Sequence, residues 1–187
     1  MARTFTNCIG IDDAPFAREH RGDVMVVGAV FARTRIDGVL TTRVRRDGAN
    51  ATRRIADMIL GSPFDAHVRA VLLQGIALAG FNVVDIHALA EHTKRPVLVV
   101  ARRAPDYHGI RRALSHVRGG QQRWRLIERA GPMEPLSGVY VQRAGLSLEE
   151  ARGLLGATTL HGALPEPLRV AHLIAGGVTT GTSRGRA

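Results

Sequence analysis

The sequence predicts an α/β fold: a mixed sheet of three antiparallel strands followed by parallel strands, flanked by helices. Two patterns carry this expectation. Residues 7–45 hold three apolar or alternating runs without helical periodicity. From about Asn50 onward, helical patterns alternate with short β-branched runs, as parallel strands joined by helical crossovers require. With 187 residues and 45% hydrophobic content, the chain is expected to form one domain (1–187) with a sizeable core and a mobile polar tail from about residue 179.

Asn7–Asp12 is short and apolar, and Val24–Phe31 is the near-continuous apolar run of a buried strand. Asp37-Gly38 reads as a turn, after which Val39–Arg45 resumes as a third strand, completing a meander. A helix is expected from about Asn50 through Leu60, with Ile55, Met58 and Ile59 on one face and Gly61-Ser62-Pro63 ending it. There follow a strand at Val71–Leu73, a helix through Val84–Glu91, a strand at Val97–Val100 led in by Pro96, and a helix near Tyr107–Val117. The last third offers a strand at Val139–Val141, a helix opening on the capping box Ser147–Glu150, and a final helix near Pro167–Gly176. No internal repeat is apparent.

The formal charge is +10, and of 26 basic residues only Lys94 is a lysine. Arginine's planar fork suits phosphate oxygens. A GC-rich coding bias would explain arginine over lysine, but not the excess over 16 acids. The balance therefore points to a polyanionic partner. No apolar stretch is long enough to span a bilayer and the N-terminus lacks a signal-peptide run, so a soluble, cytoplasmic protein with no membrane partner is expected. The single cysteine, Cys8, excludes an intramolecular disulfide and a Cys-based zinc site, and its apolar neighbours suggest core packing.

Chemistry is concentrated where Cys8-Ile9-Gly10-Ile11 ends in Asp12-Asp13. Acids at the end of a buried strand are costly unless something positive meets them, and a metal ion is one solution. Capping of the turn into Ala14-Pro15 is the other. The element order resembles that of the ribonuclease H-like fold, whose central first strand carries a metal-binding acid.

Four segments, in order, resemble endonuclease V, a repair nuclease that cuts DNA near deaminated bases. These are Gly10-Ile11-Asp12, Val71–Gly75, Arg95–Arg102 and Leu164–His172. A closer similarity is to a mainly archaeal branch of small endonuclease V-related proteins, for which the name endonuclease dU implies cleavage at deoxyuridine. It rests on Gly10–Asp13, Asp47-Gly48 with Ala51-Thr52, Ala79–Ile86 and Ser183–Ala187.

The resemblance implies a magnesium-dependent (or manganese-dependent) endonuclease nicking DNA at deoxyuridine or deoxyinosine. It carries over Asp12 directly as a metal ligand. The second aspartate of endonuclease V falls on Gln74, its His-Pro-Arg on Gly80-Phe81-Asn82, and its glutamate near Arg53-Arg54. Asp13, Asp47 and Asp85 are therefore the acids that could complete a catalytic set, with Asp12, Asp13 and Asp47 as metal ligands. Two-ion phosphodiester cleavage would need three or four such groups. Gly75, Gly80, Phe81, Asn82, Arg169 and His172 are the candidate substrate-binding residues.

Each has a plainer reading. Asp47 suits a turn or N-cap, and Asp85 the first turn of a helix. Gly75 and Gly80 suit turns, Asn82 a helix cap, Phe81 and Trp124 the core, and His172 a structural contact. The arginine groups Arg43-Arg45-Arg46, Arg53-Arg54, Arg102-Arg103 and Arg111-Arg112 contact phosphate only if they converge on one face. The competing function is a non-catalytic nucleic-acid-binding protein on a decayed nuclease scaffold, supported by Gln74 and Arg54 in place of acids. An RNA-directed nuclease is the third reading. Oligomeric state is not readable from the sequence.

Overall fold

In the computed structural model, which describes residues 3–183, the chain opens with an antiparallel meander of β1 (Asn7–Asp13), β2 (Asp23–Ala32) and β3 (Arg35–Arg45). Helix α1 (Ala51–Leu60) crosses to β4 (Ala70–Gln74), which lies parallel to β1. After the small hairpin β5 (Ala77–Leu78) and β6 (Asn82–Val83), helix α2 (Ile86–Thr93) crosses to β7 (Val97–Ala101), parallel to β4. Helices α3 (Tyr107–Leu114) and α4 (Gly120–Ala130) lead to β8 (Glu134–Leu136) and β9 (Val139–Ala144), and β9 pairs antiparallel with β7. Helices α5 (Leu148–Thr158) and α6 (Glu166–Thr180) close the described chain. The result is the expected mixed sheet, seven strands in the order β3-β2-β1-β4-β7-β9-β8.

Four details differ from the sequence reading. The β2–β3 turn is at Arg33-Thr34, with Arg33 in the left-handed region, and Asp37-Gly38 lies inside β3, where the register slips. Gly38 is needed there because a Cβ would lie 2.2 Å from Phe64 Cζ. Helix α4, strand β8 and the β5–β6 hairpin were not anticipated. Helix α6 continues to Thr180, past the predicted end at Gly176, and the last four residues of the expected polar tail lie outside the described residues. The Ser147–Glu150 capping box forms as read, with Glu150 also held by Arg3.

Side chains of the parallel strands point into protein on both faces, so Ala70–Leu73 and Val97–Val100 are completely buried. Cys8 belongs to the same core, and burial pushes its thiol up to about 12. Among the described residues no helix is long and apolar enough to cross a membrane.

The two faces of β1 are used differently. Ile9 and Ile11 share the α1 face, where a Cβ on Gly28 would sit 3.1 Å from Met58 Cε. Gly10 and Asp12 share the other, which α6 covers. A Cβ on Gly10 would lie 2.3 Å from the carbonyl carbon of Pro167 and 2.6 Å from the nitrogen of Leu168. The helix backbone thus rests directly on the strand backbone, and only glycine permits it.

Gly10→Ala should therefore push α6 away rather than fill space. Overpacking of this kind typically costs about 1–3 kcal/mol, and rigid backbone on both sides places this site at the upper end. Urea denaturation of the variant checks it; an unchanged midpoint would mean that α6 does not rest on Gly10.

Candidate functional site

Alternation along β1 sends Asp12 and Asp13 to opposite faces. Asp12 is 6% exposed and looks toward α6, where its Oδ2 lies 2.8 Å from His172 Nδ1. Its Oδ1 accepts the Asp13 backbone N–H at 2.9 Å. Asp13 turns the other way, and its Oδ2 accepts the Ala79 N–H at 2.8 Å. Burial raises Asp12 to about 6, opposed by the hydrogen bond to His172 and reinforced by the negative charge of Asp13. Burial also raises Asp13, against the Ala79 hydrogen bond.

Continuing the Ile11–Leu73 register of the parallel β1–β4 pair brings Gln74 beside Asp12. Gln74 Oε1 is buried and has no hydrogen-bond partner. A buried carboxylate and an unpaired amide oxygen on one face form an oxygen donor set suited to a single hard cation, which usually takes one or two carboxylates and keeps several waters. A two-ion arrangement finds no support in the donors. Among the described residues no three His, Cys, Asp or Glu side chains group to hold a metal.

Asp47 and Asp85 are engaged elsewhere. Asp47 has a left-handed backbone (φ 50), and its Oδ1 accepts the Phe81 N–H at 2.9 Å while its own N–H donates to Ala79 O at 2.9 Å. Gly80 must be glycine here, because a Cβ would meet Asp47 Oδ1 at 2.4 Å. Asp85 is the N-cap of α2, accepting from Ala88 N at 3.0 Å and pairing with Arg129 at 3.2 Å.

Asn82, fully buried, caps a helix, but α1 rather than the one that follows it in sequence. Its Oδ1 accepts the Ala51 N–H, and its amide donates to Arg45 O and Asn50 Oδ1. Thr52 Oγ1 accepts the Asp85 N–H at 2.9 Å. The segments Asp47–Thr52 and Ala79–Asp85 are thus bonded to each other at three places, and the clamp they form presents the Ala79 N–H to Asp13.

The remaining candidates divide. Gly75 (φ 75) makes the turn after β4 in open space. Phe81 is half-buried against Val83, Leu114 and Ile127, and Trp124 joins the same small cluster. Arg169 pairs at 2.7 Å with Glu166, a buried acid in the first turn of α6, and that partner raises the guanidinium's pKa. Arg53, Arg54, Arg102, Arg103, Arg111 and Arg112 are exposed. The sequence reading did not single out Arg123, which is 8% exposed and donates to the carbonyls of Arg118, Asp47 and Gly48.

Comparison with known proteins identifies the scaffold. The endonuclease dU family profile matches residues 4–179. A UPF0215 protein of Deinococcus radiodurans is 58% identical over 97% of this chain and 93% of its own length. One from Methanothermobacter thermautotrophicus is 47% identical over 96% and 90%. A crystal structure from Archaeoglobus fulgidus superposes with a TM-score of 0.86 at 35% identity, covering 92% of this chain and 97% of that one. Ciona intestinalis endonuclease V, in complex with an inosine-containing DNA, superposes at 0.57 with 12% identity, covering 89% and 83%. The last likeness shows a shared fold.

Asp12 has an ordinary value of 3.8 and about 6 in the fold. The folded state therefore holds the proton more tightly, and the associated stability is complete below the ordinary value and lost as pH rises through the folded one. With divalent ions chelated, wild type should lose up to about 3 kcal/mol relative to Asp12→Asn across that window. Urea melts at a series of pH values check it; parallel curves would place Asp12 in an ordinary solvated setting. Asn82→Ala should cost about 1–3 kcal/mol, since it leaves the Ala51 N–H without its acceptor while Arg45 O keeps the Gly48 N–H. A loss below about 0.5 kcal/mol, the range of ordinary surface changes, would mean that the clamp is not needed.

Proposed function

The chain belongs to the endonuclease dU family, and from that premise we propose that it hydrolyses phosphodiester bonds in DNA at deaminated bases, deoxyuridine first and deoxyinosine second. The observation that carries this reading is the Asp12–His172 pair at the end of β1, on a fold shared with endonuclease V. When Asp12 is ionised, its Oδ2 accepts from Nδ1–H. That fixes the tautomer and leaves Nε2 of the imidazole as a free base. The His172 side chain is 35% exposed against 8% for Asp12, so the histidine is the member that a substrate can reach. Nε2 takes the proton of the water attacking phosphorus, and the buried carboxylate stabilises the imidazolium that results.

A magnesium or manganese ion, held by Asp12 and Gln74 Oε1, would supply positive charge to the phosphate oxygens. Asp13 and Asp47 act on this scheme through the clamp, as positioning residues, and Asp85 through the start of α2. Deaminated bases unstack cheaply, so a nucleotide drawn out of the duplex beside Gly75, Gly80 and Phe81 would be selected by that ease. The second reading, a non-catalytic nucleic-acid-binding protein, draws on one observation: among the described residues no three acids or histidines group around Asp12, in keeping with the resemblance that puts Gln74 where endonuclease V has an acid.

Duplex and single-stranded oligonucleotides carrying one uracil, hypoxanthine or xanthine, in deoxy and ribo forms, with and without magnesium, decide between them. Cleavage of the deoxyuridine substrate should require the metal. Asp12→Asn should abolish it while DNA binding persists, and His172→Asn should slow it by about 10²–10⁴-fold. Full activity in both variants would remove the dyad from the chemistry. An inert wild type that becomes a metal-dependent nuclease on Gln74→Asp would establish the binding-protein reading.

A further inference from the structure

A cleft of about 700 Å³ lies between α1, α2 and α4, and none of Asp12, Asp13 and His172 lines it. We propose that it is a phosphate-binding subsite built around the buried Arg123; the source of the phosphate, a nucleic-acid strand, rests on the functional reading above. Arg123 is a charged side chain with only 8% of its surface exposed. Its terminal nitrogens donate to backbone carbonyls, and its Nε–H has no partner. Among the described residues no carboxylate lies within ion-pairing distance of it, nor of Arg118 and Arg125, the exposed arginines on the same wall. A buried guanidinium without a counter-ion is costly, and an anion in the cleft offsets that cost.

The cleft contains one acid, and it is already committed. Asp85 caps α2 through Ala88 N and pairs with Arg129. Helix α4 begins at the same wall with Gly119 as its N-cap, which offers no side-chain acceptor to the first N–H groups. The electrostatic balance of the wall is therefore positive from side chains and backbone alike. The space exceeds a bare phosphate. Val83, Ala88 and Leu126 give it an apolar side against which a sugar can pack, so a phosphoester is the chemistry that matches the lining. Arg123 also donates to the carbonyls of Asp47 and Gly48, so an anion that orders its guanidinium stiffens the loop from which the clamp holds Asp13.

Arg118 and Arg125 are exposed, so their replacement tests the site without removing a buried group. Wild type, Arg118→Gln, Arg125→Gln and, as control, Arg152→Gln on α5 would be compared by anisotropy of a labelled undamaged duplex across a salt series, and by thermal melting with inorganic phosphate. Each cleft variant should bind the duplex several-fold more weakly and lower the slope of log K against log salt by about 0.9. The control should do neither. Phosphate should raise the melting temperature of wild type more than that of the cleft variants. If both cleft variants match wild type on both probes, the subsite is overturned, even if the protein cuts deaminated DNA. If wild type ignores the duplex but the phosphate effect depends on Arg118 and Arg125, the subsite stands and its nucleic-acid source is overturned.

Discussion

The arrangement at the end of β1 depends on the contact between two backbones at Gly10. Because no side chain intervenes, α6 lies on the strand with Pro167 and Leu168 against Gly10. From Leu168 to His172 is four helical residues, about 6 Å along the axis. From Gly10 to Asp12 is two strand residues, about 6.6 Å. The same-face repeats of helix and strand nearly coincide, so a helix laid along the strand at Gly10 delivers His172 to Asp12. A single missing Cβ thereby places an imidazole beside a carboxylate 160 residues away in sequence.

The chain's few acids are used with economy in this strongly basic molecule. Glu150 and Glu166 are buried next to Arg3 and Arg169, and Asp47 and Asp85 accept from backbone N–H groups. Asp12 differs in kind. Its partner is an imidazole rather than a guanidinium, and burial outweighs that partner in setting its proton affinity. A carboxylate that is not fully compensated is what a site needs if a substrate or an ion is to complete it.

Much of the architecture was legible because the runs are long and strongly patterned. The Val24–Phe31 and Val97–Val100 segments could hardly be anything but buried strands, and the Ser147–Glu150 box names its own helix. Asp37-Gly38 misled because its turn chemistry was local, whereas the glycine answers to Phe64 packing from elsewhere. Helix α4 was hidden by its polarity, with Gln121, Gln122, Arg125, Glu128 and Arg129 diluting the apolar stripe of a helix whose buried positions are Gly120, Arg123 and Ile127. At the site, Asp12 was readable from its strand. His172 was named through its motif, but its pairing with Asp12 was not, since nothing local to His172 reports a neighbour so far along the chain. Asp47, read as a possible ligand, and Asp85, read as a possible catalytic acid, are bonded to backbone N–H groups, and free acids and backbone-bonded acids are identical as letters. Arg123 had no signal at all among so many arginines.

Cys8 lies two residues before Gly10, on the strand that carries Asp12, and it is the chain's only cysteine, wholly buried with its thiol held up at about 12. A thiol in that state is closed to alkylating reagents while the strand is in place. It becomes reactive only when β1 separates from its neighbours. The rate at which the native protein takes up a thiol label therefore reports the opening free energy of β1 itself, without mutation. The molecule carries its own probe for how firmly the sheet grips the strand that holds Asp12.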